Sequence, residues 1–190
     1  GKQREVQSSF RKKNNTPLVS IVGYTNAGKS TLLEKITESK TYVANELFAT
    51  VDSLQRELKV DDLSEPIIIS DTVGFIQNLP TTLIDSFKST LTVVKEANLL
   101  IHVVDAASAI PEMHISTVHE ILKQIESNVE EILVFNKIDK IDKASLNFLQ
   151  EKYENAIFVS SIKQTNLDNL ISTITYKIFG NLIEVKLLTS

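Results

Sequence analysis

The 190-residue sequence contains no cysteine and no tryptophan, and it has a single methionine. Without cysteine the chain can form neither disulfides nor thiolate metal sites, which is compatible with a reducing cytoplasm. No apolar run reaches the length that a membrane-spanning helix requires. The hydrophobic content of 42% and charged content of 23% are ordinary for a globular protein. We therefore expect one soluble, cytoplasmic domain with a sizeable core.

The charge is negative overall but unevenly distributed. A net charge of −4 argues against coating of nucleic acid by the whole surface. Five basic residues against Glu5 give residues 1–13 a charge of +4, which leaves −8 for the rest of the total of −4. We expect residues 1–16 to be a basic arm that contacts RNA or a neighbouring domain, or equally a solvated linker. Because the chain starts at Gly1 and its only methionine is Met113, we expect it to be a piece of a longer protein.

Residues 18–31, Leu-Val-Ser-Ile-Val-Gly-Tyr-Thr-Asn-Ala-Gly-Lys-Ser-Thr, carry the strongest local pattern. The first five residues predict a short buried strand, and Gly23-x-x-x-x-Gly28-Lys29-Ser30 then matches the complete phosphate-binding loop. A helix predicted from about Lys29 to Ser39 follows at once. Strand, glycine loop and helix are the context that the motif requires, which argues against an ordinary turn with an exposed lysine.

The chemistry of phosphate binding explains the residue types in this loop. Glycine lets the backbone approach a phosphate because it has no Cβ, and the backbone N–H groups and the helix dipole attract negative charge. Lys29 would supply a positive charge to the β- and γ-phosphates, and the Ser30 hydroxyl would bind Mg²⁺. We predict phosphate contacts from Gly23, Tyr24, Thr25, Asn26, Ala27, Gly28, Lys29, Ser30 and Thr31.

Short apolar strands and amphipathic helices alternate along the rest of the chain. Strands are predicted at 55–60, 67–71, 99–104, 132–135 and 157–159, and helices at 83–97, 113–127, 143–153 and 167–178. This alternation predicts an α/β fold of the P-loop NTPase type: a doubly wound, mostly parallel sheet with one antiparallel edge strand and helices on both faces. We expect the domain to span 17–178, with 179–190 a tail or the start of a further segment.

A second motif, Asp71-Thr72-Val73-Gly74, follows the strand at 67–71. Asp71 can hold Mg²⁺ through a water molecule, and the Gly74 amide can reach a γ-phosphate because no side chain blocks it. Thr50, in an irregular stretch before the edge strand, would complete the Mg²⁺ ligands and so order that stretch when a γ-phosphate is present. Thr41 is the competing candidate for this role.

The third motif, Asn136-Lys137-Ile138-Asp139, follows the strand at 132–135. The Asp139 carboxylate can accept two hydrogen bonds from the N1–H and 2-amino groups of guanine, and adenine offers no such pair. The aliphatic part of Lys137 can cover the plane of the base. A backbone N–H after the next strand can contact the guanine carbonyl. We predict a guanine site made by Asn136, Lys137, Asp139, Ser160, Ser161 and Ile162.

The three histidines have no assigned chemistry. His102 lies in the middle of the strand at 99–104, and we interpret it as a core residue. His114 and His119 fall on the helix predicted at 113–127, and no metal-ligating partner is evident beside them.

Together the motifs resemble the translation-factor-related GTPases and, more closely, the HflX family. The resemblance covers about residues 10–178, and its most specific parts are Phe-Ala-Thr at 48–50 and Asp-Thr-Val-Gly-Phe-Ile at 71–76. It implies a cytoplasmic GTPase that binds GTP and GDP with Mg²⁺ and hydrolyses GTP. It also implies binding to the large ribosomal subunit, with splitting or rescue of stalled ribosomes under stress. We expect a monomer without a membrane partner.

The resemblance also directs attention to Phe75 and Asn26. Many GTPases have a glutamine at the Phe75 position to orient the attacking water, so we predict slow intrinsic hydrolysis with Lys29, Thr50, Gly74 and Phe75 around the reacting group. The combination of Asn26 in the phosphate loop with an apolar residue at the usual glutamine position is similar to that of GTPases that bind K⁺ in place of an arginine finger. The alternative is that Asn26 simply tolerates an unusual loop conformation.

Two other functions stay open on the sequence alone. A nucleotide-dependent binding switch with incidental hydrolysis would also explain Phe75, and an adenine-nucleotide enzyme would conflict with Asp139. The sequence departs from the family pattern at Ser53, where proline is usual, at Ser161, and at Gln164-Thr165-Asn166, where the family has a glycine-rich turn.

Overall fold

A computed structural model describes residues 16–38, 55–60, 65–72 and 91–188, of which residue 38 and residues 181–188 are described in backbone only. In these residues six strands, β1 to β6, span Leu18–Gly23, Gln55–Leu58, Ile67–Asp71, Leu99–Asp105, Glu131–Asn136 and Ile157–Phe158. Four helices, α1 to α4, span Lys29–Glu38, Pro111–Gln124, Lys143–Lys152 and Leu167–Leu188. Residues 91–95 are also helical, and Ile138–Lys140 form a 3₁₀ turn.

The six strands form one sheet in the order β2-β3-β1-β4-β5-β6. Only β2 is antiparallel to its neighbour, and the other four pairings are parallel. After β1 the chain builds one side of the sheet with β2 and β3 and then the other side with β4, β5 and β6, so the winding direction reverses around β1. Ligands of such sheets bind beyond the carboxyl ends of the strands at this reversal. The predicted doubly wound sheet with one antiparallel edge strand is confirmed.

Helices cover both faces of the sheet because strand side chains alternate between them. On one face Val19 and Ile21 of β1 belong to a buried cluster with side chains of α1 and α4. On the other face Leu18 and Val22 pack with Leu100 and with α2. A third cluster around Phe135 packs α3 against the end of the sheet. All six residues of β1 are buried, which makes this strand a fixed base for the loop that follows it.

Several element boundaries differ from the sequence prediction. Helix α2 begins at Pro111 rather than at Met113, because proline fits the first turn of a helix, where its missing N–H is not needed. Helix α4 does not end at Ile178 but continues to Leu188, since Gly180 lowers helix propensity by only about 1 kcal/mol and no proline follows. The edge strand ends at Leu58, two residues before the predicted Val60. Of the helix predicted at 83–97, residues 83–90 lie outside the described residues.

Within the described ranges, no helix combines the length and the apolar content needed to cross a lipid bilayer.

Candidate nucleotide-binding site

The phosphate-binding loop links the end of β1 to the start of α1, as its sequence predicts. Gly23 and Gly28 adopt φ values of 154° and 92°, where residues with a side chain are strained. A Cβ on Gly23 would lie 2.3 Å from the Val103 carbonyl oxygen of β4, and one on Gly28 would lie 2.5 Å from Nδ2 of Asn136. Both glycines are therefore required by the packing of the loop against β4 and β5.

Lys29 occupies the first turn of α1 and is only 7% exposed. Its Nζ donates a hydrogen bond to the Tyr24 carbonyl oxygen over 3.0 Å. Burial lowers the pKa of Lys29, and the neighbouring Asp71 carboxylate offsets part of this effect. The loop thus holds a partly desolvated cation close to its own backbone, where an anionic group would be attracted most strongly.

Ser30 and Asp71 bring two oxygen ligands together from different elements. The Ser30 hydroxyl donates to Oδ2 of Asp71 over 2.5 Å, and Asp71 is 8% exposed at the end of β3. Burial raises the pKa of Asp71, against the lowering effects of Ser30, Lys29 and Thr72. Its other oxygen, Oδ1, is buried without a hydrogen-bond partner within the described part of the chain. A water molecule coordinated to a hard cation would satisfy this oxygen, so the pair fits a Mg²⁺ ion.

Thr72 fixes the position of Asp71 relative to the phosphate loop. Its hydroxyl donates to the Ile21 carbonyl oxygen over 2.6 Å, and its backbone N–H donates to the same oxygen over 3.3 Å. Because Ile21 lies two residues before Gly23, the acidic motif is tied directly to β1. The last two residues of the motif, 73 and 74, lie outside the described residues.

Asn136 joins the phosphate loop to both predicted base-binding segments. Its Nδ2 donates to the Ala27 carbonyl oxygen over 3.1 Å. Its Oδ1 accepts from the N–H groups of Lys137 and Ser161, and from the Ser161 hydroxyl, over 2.8 to 3.0 Å. Asn136 is 2% exposed, so these contacts use its side chain inside the protein. A direct contact between Asn136 and guanine stays a prediction.

Lys137 makes a second connection to the phosphate loop. Its Nζ donates to Oδ2 of Asp105 over 2.6 Å and to the backbone carbonyl oxygen of Asn26. Lys137 and Asn26 have φ values of 67° and 62°, both in the left-handed region. The unusual backbone that was the alternative explanation for Asn26 is thus present, while its K⁺ role stays a prediction. Asp105 was missed as a partner, although its place at the end of β4 was visible in the sequence.

The Asp139 carboxylate is held at the site by one of its two oxygens. In the 3₁₀ turn after Lys137, its Oδ1 accepts a hydrogen bond from the Ser160 hydroxyl over 2.5 Å. Ser160 and Ser161 are buried, whereas Ile162 is 63% exposed. The turn at 164–166 closes without glycine, because Gln164 and Asn166 adopt φ values of 52° and 61°.

The remaining predicted site residues are only partly covered by the structure. Tyr24 stacks on His114, with ring centroids 4.0 Å apart. Thr25 is exposed in the loop, and Thr31 lies in the first turn of α1. Thr50, Gly74 and Phe75 lie outside the described residues, so their predicted roles are untested.

One interpretation of the histidines is wrong. His119 does have neighbours of metal-binding type: its Nε2 lies 2.6 Å from Oε1 of Glu131, and His102 lies beside the same carboxylate. The buried position predicted for His102 is correct, since its side chain has no exposed surface. The sequence alone could not bring these residues together, because they come from β4, α2 and β5.

The doubly wound sheet, the phosphate loop with its Ser30–Asp71 pair and the adjoining base motif define a P-loop nucleotide-binding domain of the GTPase class. A family model described as 50S ribosome-binding GTPase matches residues 18–137. GTPase HflX of Escherichia coli is 38% identical over 186 residues, which are 96% of this chain and 43% of that protein. GTPase HflX of Caldanaerobacter subterraneus subsp. tengcongensis is 41% identical over 179 residues, 94% of this chain and 40% of that protein.

A solved structure agrees with this classification. The crystal structure of a GTP-binding protein from the hyperthermophilic archaeon Sulfolobus solfataricus, in complex with GDP, matches with a TM-score of 0.66 and 25% identity. The match covers 92% of this chain and 56% of that one. The chain therefore belongs to the HflX family of GTPases and corresponds to their nucleotide-binding domain. It spans less than half the length of the two curated relatives.

Proposed function

We propose that this chain binds GTP and GDP and hydrolyses GTP to GDP and phosphate, in a protein whose activity is coupled to the large ribosomal subunit. The observation that carries the proposal is the set of hydrogen bonds made by Asn136. They join the phosphate loop, through Ala27, to the base-binding segments, through Lys137 and Ser161. A phosphate chain and a base can therefore be recognised together as parts of one nucleotide.

Phosphate binding and charge stabilisation fall to the loop and α1. The backbone N–H groups of the loop and the Lys29 ammonium would bind the phosphates, and Lys29 would stabilise negative charge as it develops on the transferred group. Ser30 directly, and Asp71 through a water molecule, would hold Mg²⁺, with Thr50 as the proposed further ligand. When bound, Mg²⁺ neutralises charge on the β- and γ-phosphate oxygens.

Asp139 would select the base. The Ser160 hydroxyl donates a hydrogen bond to Oδ1 of Asp139 and so orients the carboxylate. A carboxylate held in one orientation can accept from both N1–H and the 2-amino group of guanine, whereas adenine would leave it unsatisfied. The stem of Lys137, anchored at its ammonium by Asp105 and by the Asn26 carbonyl, would cover the base plane.

Phe75 makes slow hydrolysis by the isolated chain part of the proposal. A phenyl ring cannot orient an attacking water, so a partner or a K⁺ ion at Asn26 would have to assist. The ribosomal large subunit is the proposed partner because the matching family model is described as 50S ribosome-binding GTPase. The nucleotide-dependent switch with incidental hydrolysis is the competing function, since Phe75 is equally compatible with it.

The test measures multiple-turnover hydrolysis of GTP in K⁺ buffer with no subunits, with large subunits and with small subunits. It uses this chain and a longer protein that contains it, because the matched part makes up less than half of the curated relatives. We expect slow turnover alone and marked stimulation by large subunits only. Tight GTP binding by the longer protein without any stimulation would favour the switch, and equal hydrolysis of ATP and GTP would contradict the assignment of Asp139.

A further inference from the structure

A cluster of His102, His119 and Glu131 lies on the sheet face that α2 covers. Glu131, the first residue of β5, is in register with Leu100 of β4, and His102 lies two residues further along β4 on the same face. Leu100 packs with α2 side chains, and His119 projects from that helix beside them. Three separate elements thus each contribute one polar side chain to the same place.

The donor atoms of the cluster lie within reach of a single ion. One ligand atom from each residue can be chosen so that all three lie within 4.8 Å of one another. Nε2 of His119 is 2.6 Å from Oε1 of Glu131, and Nδ1 of His102 is 3.5 Å from Oε2. A tetrahedral Zn²⁺ ion with bonds of about 2.0–2.1 Å separates its ligand atoms by about 3.3 Å. Small side-chain rotations would therefore bring the three atoms to ligand positions.

Burial distinguishes this cluster from an ordinary surface group. The His102 side chain has no exposed surface, and neither of its ring nitrogens has a hydrogen-bond partner among the described residues. Oε2 of Glu131 is also buried and makes no hydrogen bond there, since its contact with Nδ1 of His102 is long, at 3.5 Å. Buried polar atoms without partners are rare in folded proteins and require an explanation. A cation bound between the imidazole and the carboxylate would satisfy both.

One side of the cluster is open to solvent, although the His102 side chain is fully buried. The side chains of His119 and Glu131 are 49% and 28% exposed, which leaves an open side for an ion to enter.

We propose that His102, His119 and Glu131 bind one divalent transition-metal ion of the zinc class, with water in the remaining position. Two imidazoles and one carboxylate suit Zn²⁺, whereas Mg²⁺ prefers oxygen ligands such as those of Ser30 and Asp71. The bound ion would connect α2 to β4 and β5. Its role is a structural cross-link in the nucleotide-binding domain and does not depend on GTP hydrolysis.

The test titrates Zn²⁺ into the full chain in the presence of excess Mg²⁺ and GDP, which saturate the phosphate site. We expect one saturable Zn²⁺ per chain by chelator competition, and a visible spectrum of four-coordinate Co²⁺ when cobalt is used as the probe. His119→Gln and Glu131→Gln should each weaken Zn²⁺ binding by about 10-fold or more. The matched variants His114→Gln on the same helix and Glu130→Gln on the preceding residue should bind Zn²⁺ as the unsubstituted chain does.

A measurement without substitutions guards against variants that fold poorly. Zn²⁺ should shift the imidazole nitrogen resonances of His102 and His119 but not those of His114. Saturating Zn²⁺ should also raise the melting temperature of the unsubstituted chain by about 5 °C or more. Absence of saturable binding, or equal loss in His114→Gln and His119→Gln, would overturn the proposal and leave the cluster a hydrogen-bonded group of the core.

Discussion

At the level of single residues, the site depends on a few side chains that other protein groups already hold in place without a ligand. The Asp139 carboxylate accepts a hydrogen bond from the Ser160 hydroxyl, and the Lys137 ammonium donates one to the Asp105 carboxylate. Such preorganisation lowers the cost of ordering these groups when a nucleotide binds. It also means that substitutions at these positions test specific contacts rather than a general loss of structure.

Asp139→Asn should change the base preference of the site from guanine toward xanthine. The amide retains one acceptor but presents N–H groups where guanine also presents donors, so GTP affinity should fall by about 100-fold or more while xanthosine triphosphate gains. Competition binding against a labelled nucleotide measures both changes. Asp142→Asn is the matched control, since Asp142 caps α3 through the Ser145 N–H and asparagine also caps helices. An unchanged preference in Asp139→Asn would remove Asp139 from the base site.

Asn26→Gly separates the two explanations of Asn26. Because Asn26 has a φ of 62°, glycine keeps the backbone conformation and removes only the side chain. If the side chain helps to bind K⁺, the rate advantage of K⁺ over Na⁺ in GTP hydrolysis should fall to near unity while GDP affinity stays within a few-fold. A variant that keeps its full K⁺ stimulation would show that position 26 requires only the left-handed backbone.

At the scale of secondary-structure elements, the site is a meeting of loops that follow β1, β3, β5 and β6. Asn136 lies at the end of β5 and reaches Ala27, 109 positions earlier in the chain, as well as Ser161 after β6. It therefore acts as a tie between elements, and its contribution should be visible in the stability of the protein without nucleotide.

Asn136→Ala should destabilise the nucleotide-free chain and weaken GDP binding together. The substitution leaves the Ser161 N–H, the Ser161 hydroxyl and the Ala27 carbonyl without their partner, and each buried unpaired group costs about 1–3 kcal/mol. Urea unfolding without nucleotide should show a loss of at least about 2 kcal/mol. Asn147→Ala on the exposed side of α3 is the control. A loss of GDP affinity with unchanged unfolding free energy would instead make Asn136 a base contact only.

The sequence predicts features that depend on neighbouring residues better than features that depend on residues far apart in the chain. The strand, loop and helix around Gly23 and Lys29 are specified by neighbouring residues, and the structure confirms their order and places their bounds within one residue of the prediction. The tie made by Asn136 and the partnership of His119 with Glu131 connect residues distant in sequence. Their geometry follows from sheet register and helix placement, which no local pattern encodes. The end of α4 was missed because helix continuation past Gly180 is decided by the neighbouring residues together rather than by one signal.

At the scale of the whole molecule, the ligand site lies where the two halves of the sheet meet. One half contributes Asp71 from β3, and the other contributes Asn136 from β5, with the phosphate loop of β1 between them. A nucleotide with Mg²⁺ would contact residues from both halves at once. Its binding energy would therefore oppose unfolding of the domain as a whole, through linkage between binding and folding.

Mg²⁺ and GDP together should raise the melting temperature of the chain, and ADP should not. At a GDP concentration 100 times the Kd, linkage adds about 2.7 kcal/mol, which for a chain of this size corresponds to roughly 5–10 °C. Thermal unfolding followed by circular dichroism, with EDTA in a parallel sample, separates the metal contribution. Ser30→Ala should retain part of the GDP effect but lose its dependence on Mg²⁺, because the hydroxyl that would bind the ion is gone. Equal stabilisation by GDP and ADP would contradict a guanine site, and an EDTA-insensitive effect in the unsubstituted chain would contradict the Ser30–Asp71 metal site.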